Sequence, residues 1–317
     1  MRYAFVGAGG VGGYFGARLA AAGEDVSFLA RGAHLEAIRR DGLSVASGLG
    51  DVRVFPAKAS DDPVALGRAD LVVIAVKNWD TAEAARAAAG LRAPDGEIVS
   101  FQNGVEAWDE IARIAGVPVL GGVAYITASI ERPGVIRHAG TMQRLAFGSF
   151  DGGRSEAAER LLEACRRANI DASIRPDIRR AIWEKFVFLS AFSALTSLAR
   201  LPIGRIREDP RARRLLEGAM REAAEVGRAS GVPLSDDVVE RQLAIADRLP
   251  PGSMSSMLGD LNRGNRLEVA WLSGATARMG RELSIATPVH DVAAGVLGLH
   301  AAGSVPLVRA IPAPLPS

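Results

Sequence analysis

The chain has 317 residues, 48% of them hydrophobic and 23% charged, with a formal net charge of +2 at pH 7. That length suits two domains with real cores, the composition is that of a soluble globular protein, and the charge is too small for a nucleic-acid surface. One cysteine, Cys165, excludes a disulfide within the chain and fits a reducing compartment; on an arginine-flanked helix it reads as buried filler before reactive thiol.

Residues 1–31 read as strand, glycine turn, helix and second strand. Arg2-Tyr3-Ala4-Phe5-Val6 is short and β-leaning. Gly7-Ala8-Gly9-Gly10-Val11-Gly12 then fits G-x-G-x-x-G, and the helix that follows stops at Gly23. Residues 25–30 form the next strand. In such a unit Gly7 permits the tight turn, Gly9 lets the backbone approach a pyrophosphate, and Gly12 lets the helix lie close on the strand. The helix N-terminus then aims free N–H groups at the phosphates. The pattern predicts dinucleotide binding by Gly7, Ala8, Gly9, Gly10, Val11 and Gly12.

The end of the second strand selects the dinucleotide. An NAD site usually places Asp or Glu there, to accept from the ribose 2′-OH. This chain offers Ala30 and Arg31, with Glu24 and Asp25 too early to reach the ribose. A guanidinium can take a 2′-phosphate through two N–H donors, so NADP(H) is the expected cofactor, with an ordinary surface arginine the alternative.

Further along, a short helix through Leu35 and Ile38 leads to Gly42, and Val45 and Val52-Arg53-Val54 read as strands. Residues 70–77 are almost continuously apolar, as in a strand buried on both faces of a parallel sheet. A helix over 81–89 and a buried strand over 97–101 follow. Residues 117–130 are apolar and β-branched. Residues 135–138 and 144–147 read as two strands around a turn at Gly140. A helix over 155–167 and a last strand over 172–175 complete an α/β domain, residues 1–175. Beyond Pro176 the pattern is helical: 178–198, 210–231, 235–249, 254–279 and 288–302, with a loose, proline-containing tail from Val305. Residues 176–317 thus form the second domain. Met1 leads straight into the first strand, so no secretory leader is expected. The longest apolar run, residues 186–199, is too short to span a bilayer. The expectation is a cytoplasmic protein with no membrane partner. Abundant alanine and apolar helical faces are compatible with a homodimer.

Ligands of open α/β sheets gather beyond the carboxyl ends of the strands. Lys77 and Asn103 follow two of those ends; Lys77 could add charge for a phosphate or cap a loop, and Asn103 before Gly104 reads first as a turn residue. The chain has only three lysines, Lys58, Lys77 and Lys185, against 35 arginines. A lysine kept in such a background suggests a need for a compact, titratable ammonium. Lys185 shares a helix face with Leu189, Phe192 and Ser193. Desolvation there would make it a usable proton donor, while snorkelling to water is the structural alternative. Glu268 is expected on a helix face with Trp271, Leu272 and Ala275, and Ser256 and Asp260 at i, i+4 on the same helix. For these three the residues alone fit a helix cap, a solvated acid and an ion pair as well as a site. His34, His138, His290 and His300 show no metal-ligand spacing, so no metal is expected.

Taken together, Gly7–Gly12, Leu29-Ala30-Arg31-Gly32-Ala33-His34-Leu35, Val76-Lys77, Gln102-Asn103-Gly104, Trp183-Glu184-Lys185, Ser255-Ser256-Met257-Leu258-Gly259-Asp260 and Glu268 resemble the ketopantoate reductase (2-dehydropantoate 2-reductase) family over residues 1–301. The resemblance implies a Rossmann-like doubly wound sheet followed by an all-helical domain like the C-terminal domain of 6-phosphogluconate dehydrogenase. It implies NADPH-dependent reduction of a 2-oxo acid, with 2-dehydropantoate the family's substrate in pantothenate biosynthesis. Arg31 and Lys77 would hold the 2′-phosphate, and Asn103 would place the nicotinamide end and the substrate. Lys185 would act as general acid, Glu268 would bind the substrate hydroxyl and Ser256 its carboxylate, and Asp260 would orient the site. Pathway members usually carry asparagines four and eight residues after the lysine; here those positions are Leu189 and Ser193, of which only Ser193 can hydrogen-bond a substrate. A more apolar 2-oxo acid would suit Leu189 better.

Overall fold

The computed structural model describes residues 1–303. The expected tail from Val305 lies outside the described residues. The chain divides into two compact units. The first is Met1–Phe186 with Gly231–Leu234, and the second is Val187–Ser230 together with the residues from Ser235 onward.

In the first unit the elements run β1 (Arg2–Val6), α1 (Gly10–Ala21), β2 (Asp25–Leu29), α2 (Gly32–Asp41), β3 (Leu43–Ser47), β4 (Val52–Val54), β5 (Lys58–Ser60), α3 (Pro63–Leu66) and β6 (Ala69–Ile74). They continue with α4 (Thr81–Leu91), β7 (Arg92–Ser100), α5 (Ala107–Ala115), β8 (Leu120–Arg132), β9 (Val135–Gly148), α6 (Glu156–Arg167) and β10 (Asp171–Ile174). The strands form one sheet in the order β4-β3-β9-β8-β7-β6-β1-β2-β5, with β10 beside β9. Strands β5, β2, β1, β6, β7 and β8 are parallel, while β8–β9 and β3–β4 are antiparallel.

Alternation along the strands explains the two cores. Tyr3, Phe5, Leu71 and Val73 point into one, with Tyr14 and Phe15 of α1. Ala4, Val6, Val72 and Ile74 point into the other, with Ala84 and Ala85 of α4 and Trp108 of α5. A sheet covered on both faces needs apolar residues at successive positions, which is why β1 and β6 read as unbroken runs. The chain leaves β1 through α1 to β2 on one side and returns to β6 on the other. This doubly wound arrangement puts its switch point beyond the carboxyl ends of β1 and β6.

Two strand readings change. Gly140 makes no hairpin turn: residues 135–148 are one strand, β9, whose pairing with β8 slips between Ile126 and Ala128. Gly140, at φ +78°, lies within residues 139–142, the four β9 positions that stand opposite the single β8 position 127 in this irregularity. The reversal lies earlier, at Pro133-Gly134, where Pro fixes φ and Gly134 adopts φ +78°.

The helix α7 (Ile178–Ala199) runs from the first unit into the second. It begins eight residues before the apolar run 186–199 and ends with it, so at 22 residues it is long and apolar enough to cross a membrane; 72% of its apolar window is buried inside the protein, as in a core helix. The second unit continues with α8 (Ile203–Glu208), α9 (Pro210–Ala229), α10 (Val238–Arg248), α11 (Ser256–Asn262), α12 (Ser273–Glu282) and α13 (Pro288–Gly298). The single helix expected over 254–279 is therefore broken. Gly264 adopts φ +68°, its N–H donates to Leu261 O at 3.1 Å, and Asn265 N–H donates to Asp260 O at 2.9 Å. That bond pair closes α11 in a Schellman motif.

Candidate active site

The glycine turn is shaped by contact with its neighbours. Gly7 has φ +99°, and a Cβ there would stand 2.8 Å from Val76 Cγ1. A Cβ on Gly12 would stand 2.0 Å from Gly7 O, and one on Gly10 2.2 Å from Ala128 O of β8. No larger residue fits these three positions. Gly9 differs: nothing lies within 4 Å of its Cβ position, and it caps α1 without a side-chain bond. The first N–H groups of α1 thus begin beside open space, the arrangement that receives a pyrophosphate. These residues fit a dinucleotide.

His34 steadies this turn. Its Nδ1 accepts from Gly134 N–H at 3.0 Å, so Nε2 carries the proton and donates to Ala8 O at 2.8 Å. Burial lowers its pKa and favours the neutral ring that this double role requires.

Arg31, the residue before α2, is exposed and pairs with Asp80 at 2.7 Å and Glu83 at 3.5 Å. Lys77 follows β6, and its ammonium stands 5.8 Å from the centroid of the Trp79 ring. Asp80 N–H donates to Lys77 O at 2.9 Å, so a tight turn carries the chain from Lys77 to the carboxylate that holds Arg31.

Lys185 and Asn103 are brought together from 82 positions apart. The Lys185 ammonium donates to Asn103 Oδ1 and to Ala124 O, each at 2.8 Å. It also faces the Tyr125 ring, 5.9 Å from the centroid. Arg144 covers that ring at 4.2 Å, and burial raises the Tyr125 hydroxyl pKa. Lys185 is thus directed at protein acceptors rather than snorkelling outward. Asn103 is more than a turn residue, since Gly104 (φ +93°) makes the turn.

A hydrogen-bond chain supports Asn103. Asn78 Nδ2 donates to Asn103 O at 3.1 Å, and Thr81 donates to Asn78 O at 2.7 Å. Gln102 Nε2 donates to Thr81 Oγ1 at 2.9 Å, while Ser100 donates to Gln102 Oε1 at 3.0 Å. Of these buried residues only Gln102 belongs to a stretch singled out in the sequence; the pairing of all four escapes a sequence reading. Their one signal is polarity at the ends of otherwise apolar strands.

The second unit holds the other candidates. Ser255, not Ser256, caps α11: its Oγ accepts from Leu258 N–H at 3.0 Å and lies 2.8 Å from Thr196 Oγ1. Ser256 follows it on the first turn, exposed. Asp260 is buried, and its Oδ1 accepts from Arg263 at 2.8 Å and Asn265 at 3.2 Å. Glu268 is buried and precedes a 3-10 turn, Val269–Trp271, so it does not share a continuous helix with Ala275. Ser193 is fully buried on α7, its Oγ without a hydrogen-bond partner.

The ketopantoate reductase PanE/ApbA family model matches residues 3–152, and the model of the family's C-terminal part matches residues 177–301. The chain is 34% identical over 291 residues to the 2-dehydropantoate 2-reductase of Halobacterium salinarum, covering 91% of this chain and 95% of that one. It is 30% identical over 303 residues to the uncharacterised oxidoreductase YkpB of Bacillus subtilis, covering 95% and 99%. The crystal structure of a PanE/ApbA family ketopantoate reductase from Ralstonia eutropha is 33% identical, with a TM-score of 0.87 over 95% of this chain and 98% of that one. With its doubly wound sheet, glycine turn and helical second part, the chain belongs to the ketopantoate reductase family of oxidoreductases.

Proposed function

We propose that this chain reduces a 2-oxo acid to a 2-hydroxy acid with NADPH, 2-dehydropantoate to pantoate being the reading its relatives favour. The observation that carries this is the Lys185 ammonium, held 2.8 Å from both Asn103 Oδ1 and Ala124 O in the unit that bears the glycine turn. The backbone of residues 7–12 would hold the pyrophosphate, and Arg31 and Lys77 the 2′-phosphate. When bound, the nicotinamide supplies the hydride.

Hydride addition to a ketone builds negative charge on its oxygen. An ammonium aimed there stabilises that charge and then gives up a proton to it. Asn103 and Ala124 aim Lys185 through acceptors, leaving its charge in place. Glu268 would take the substrate hydroxyl, Ser256 and Ser193 other polar groups of the acid, and Asp260 would hold the Arg263–Asn265 turn.

Leu189 favours a second choice of substrate. It sits one turn beyond Lys185 on α7 and offers no hydrogen bond, so a 2-oxo acid with a more apolar side chain suits it. Oxidation of NADPH followed across a panel of 2-oxo acids, ketopantoate beside bulkier apolar ones, ranks the two. For the reaction itself, Lys185→Ala should leave the NADPH Kd within twofold and reduce kcat on the best substrate by about 10²- to 10⁴-fold. Full activity in that variant would end the assigned role.

A further inference from the structure

Arg31 is the cation on which cofactor choice depends, and it does not stand alone. Its guanidinium donates to Asp80 Oδ2 at 2.7 Å and lies 3.5 Å from Glu83 Oε2. The Asp80 side chain is 24% exposed and the Glu83 side chain 76%, so Asp80 is the more firmly placed partner. Its position is built in. The turn from Lys77 to Asp80 is closed by the Asp80 N–H bond to Lys77 O, and Asp80 is the N-cap residue of α4. An aspartate there ordinarily accepts from the N–H groups of its own helix. Asp80 makes no such bond and turns to Arg31 instead.

This placement acts differently on the two nicotinamide dinucleotides. A 2′-phosphate on Arg31 competes with Asp80 for the charge and the N–H donors of the guanidinium, and lies in the repulsive field of that carboxylate. An unphosphorylated ribose brings a hydroxyl, which a carboxylate can accept from. Asp80 therefore opposes the phosphate and is compatible with the hydroxyl. We propose that Asp80 sets the ratio of NADPH to NADH affinity in this chain, restraining the preference for the phosphorylated cofactor that Arg31 and Lys77 create. This rests on the reading that Arg31 receives the 2′-phosphate.

The test is direct binding, by nicotinamide fluorescence or calorimetry at one ionic strength, without turnover. Asp80→Asn should tighten NADPH about tenfold, from loss of both a competing ion pair and a repulsive charge, and change NADH by less than threefold. Glu83→Gln, at the more exposed partner, should change NADPH by less than twofold. Asp80→Ser serves as the second variant should the first fail to fold. An NADPH Kd that is unchanged or weaker in the Asp80 variants would overturn the inference, because Asp80 would then be aiming Arg31 at the phosphate. Arg31→Ala separates the two levels. If it weakens NADPH and NADH equally, the phosphate reading itself falls. If it weakens NADPH alone while the Asp80 variants show no gain, only the role of Asp80 falls.

Discussion

An ammonium can donate in three directions, and at Lys185 two are fixed by oxygens from separate segments, Asn103 beyond the end of β7 and Ala124 within β8. A long, flexible side chain is thereby held to one geometry. Removing the side-chain acceptor should release it. Asn103→Leu is expected to lower kcat on the order of 10²-fold, as when a reacting group is misplaced by about an ångström, and to alter NADPH affinity far less. Steady-state kinetics beside a binding titration separates the two, and an unchanged kcat would remove Asn103 from the reaction. Lys185 and Asn103 were legible as candidates because lysine is rare here and strand ends gather ligands. The bond between them was not, since 82 residues separate them and nothing local records the pairing. The same limit hid Asp80: Arg31 was readable as a cation at a strand end, but its partner lies on another loop.

At the scale of elements, periodicity found the buried strands and the long helices, while breaks in regular structure were misread. The signal that ends α11 is present as Arg263-Gly264-Asn265, yet apolar spacing on either side suggested one helix. Gly140 looked like a turn because a left-handed glycine serves equally in a turn or a bulge, and the strand pairing decides which. The junction of α9 and α13 carries a consequence for pH. Glu222 of α9 accepts from Val289 and His290 N–H at the start of α13, at 2.9 and 3.0 Å. His290 Nε2 lies 3.0 Å from Ala219 O, and its Nδ1 is buried without a partner. Burial pushes the His290 pKa down from 6.5 to about 4, against smaller opposing influences of the Ala219 carbonyl and then Asp291. The unfolded chain therefore takes up this proton first. Stability from His290 is complete above pH 6.5, falls as pH drops from there toward 4, and levels off below. Glu222 acts oppositely: burial raises its pKa, so its contribution declines as pH rises above the ordinary carboxylate range. Between pH 6.5 and 4.5 the wild type should lose about 2 kcal/mol more than His290→Gln in urea unfolding. Equal losses would show that His290 is not the titrating group.

For the whole molecule, the single cysteine offers a readout that needs no substrate. Cys165 lies on α6 with no exposure, within the core that also holds Phe5, Tyr14 and Leu161. Burial pushes its thiol up to about 12, so in the native state it is both inaccessible and protonated. Alkylation of Cys165 then requires the first unit to open, and its rate follows the open population when reclosing is faster than labelling. A dinucleotide that binds the glycine turn binds only the folded form, whose free energy it lowers by RT ln(1 + [L]/Kd). At a concentration 100 times its Kd, NADPH should therefore slow alkylation about 100-fold, and a non-binding nucleoside should leave the rate unchanged. The slowing also depends on Arg31: in Arg31→Ala the same NADPH concentration should protect less, in proportion to the weakened Kd. Labelling within seconds in native buffer would show that Cys165 is reached without unfolding. Slow labelling indifferent to saturating NADPH would mean that the dinucleotide does not bind the unit bearing the glycine turn, and the proposed reduction would lose its hydride source there.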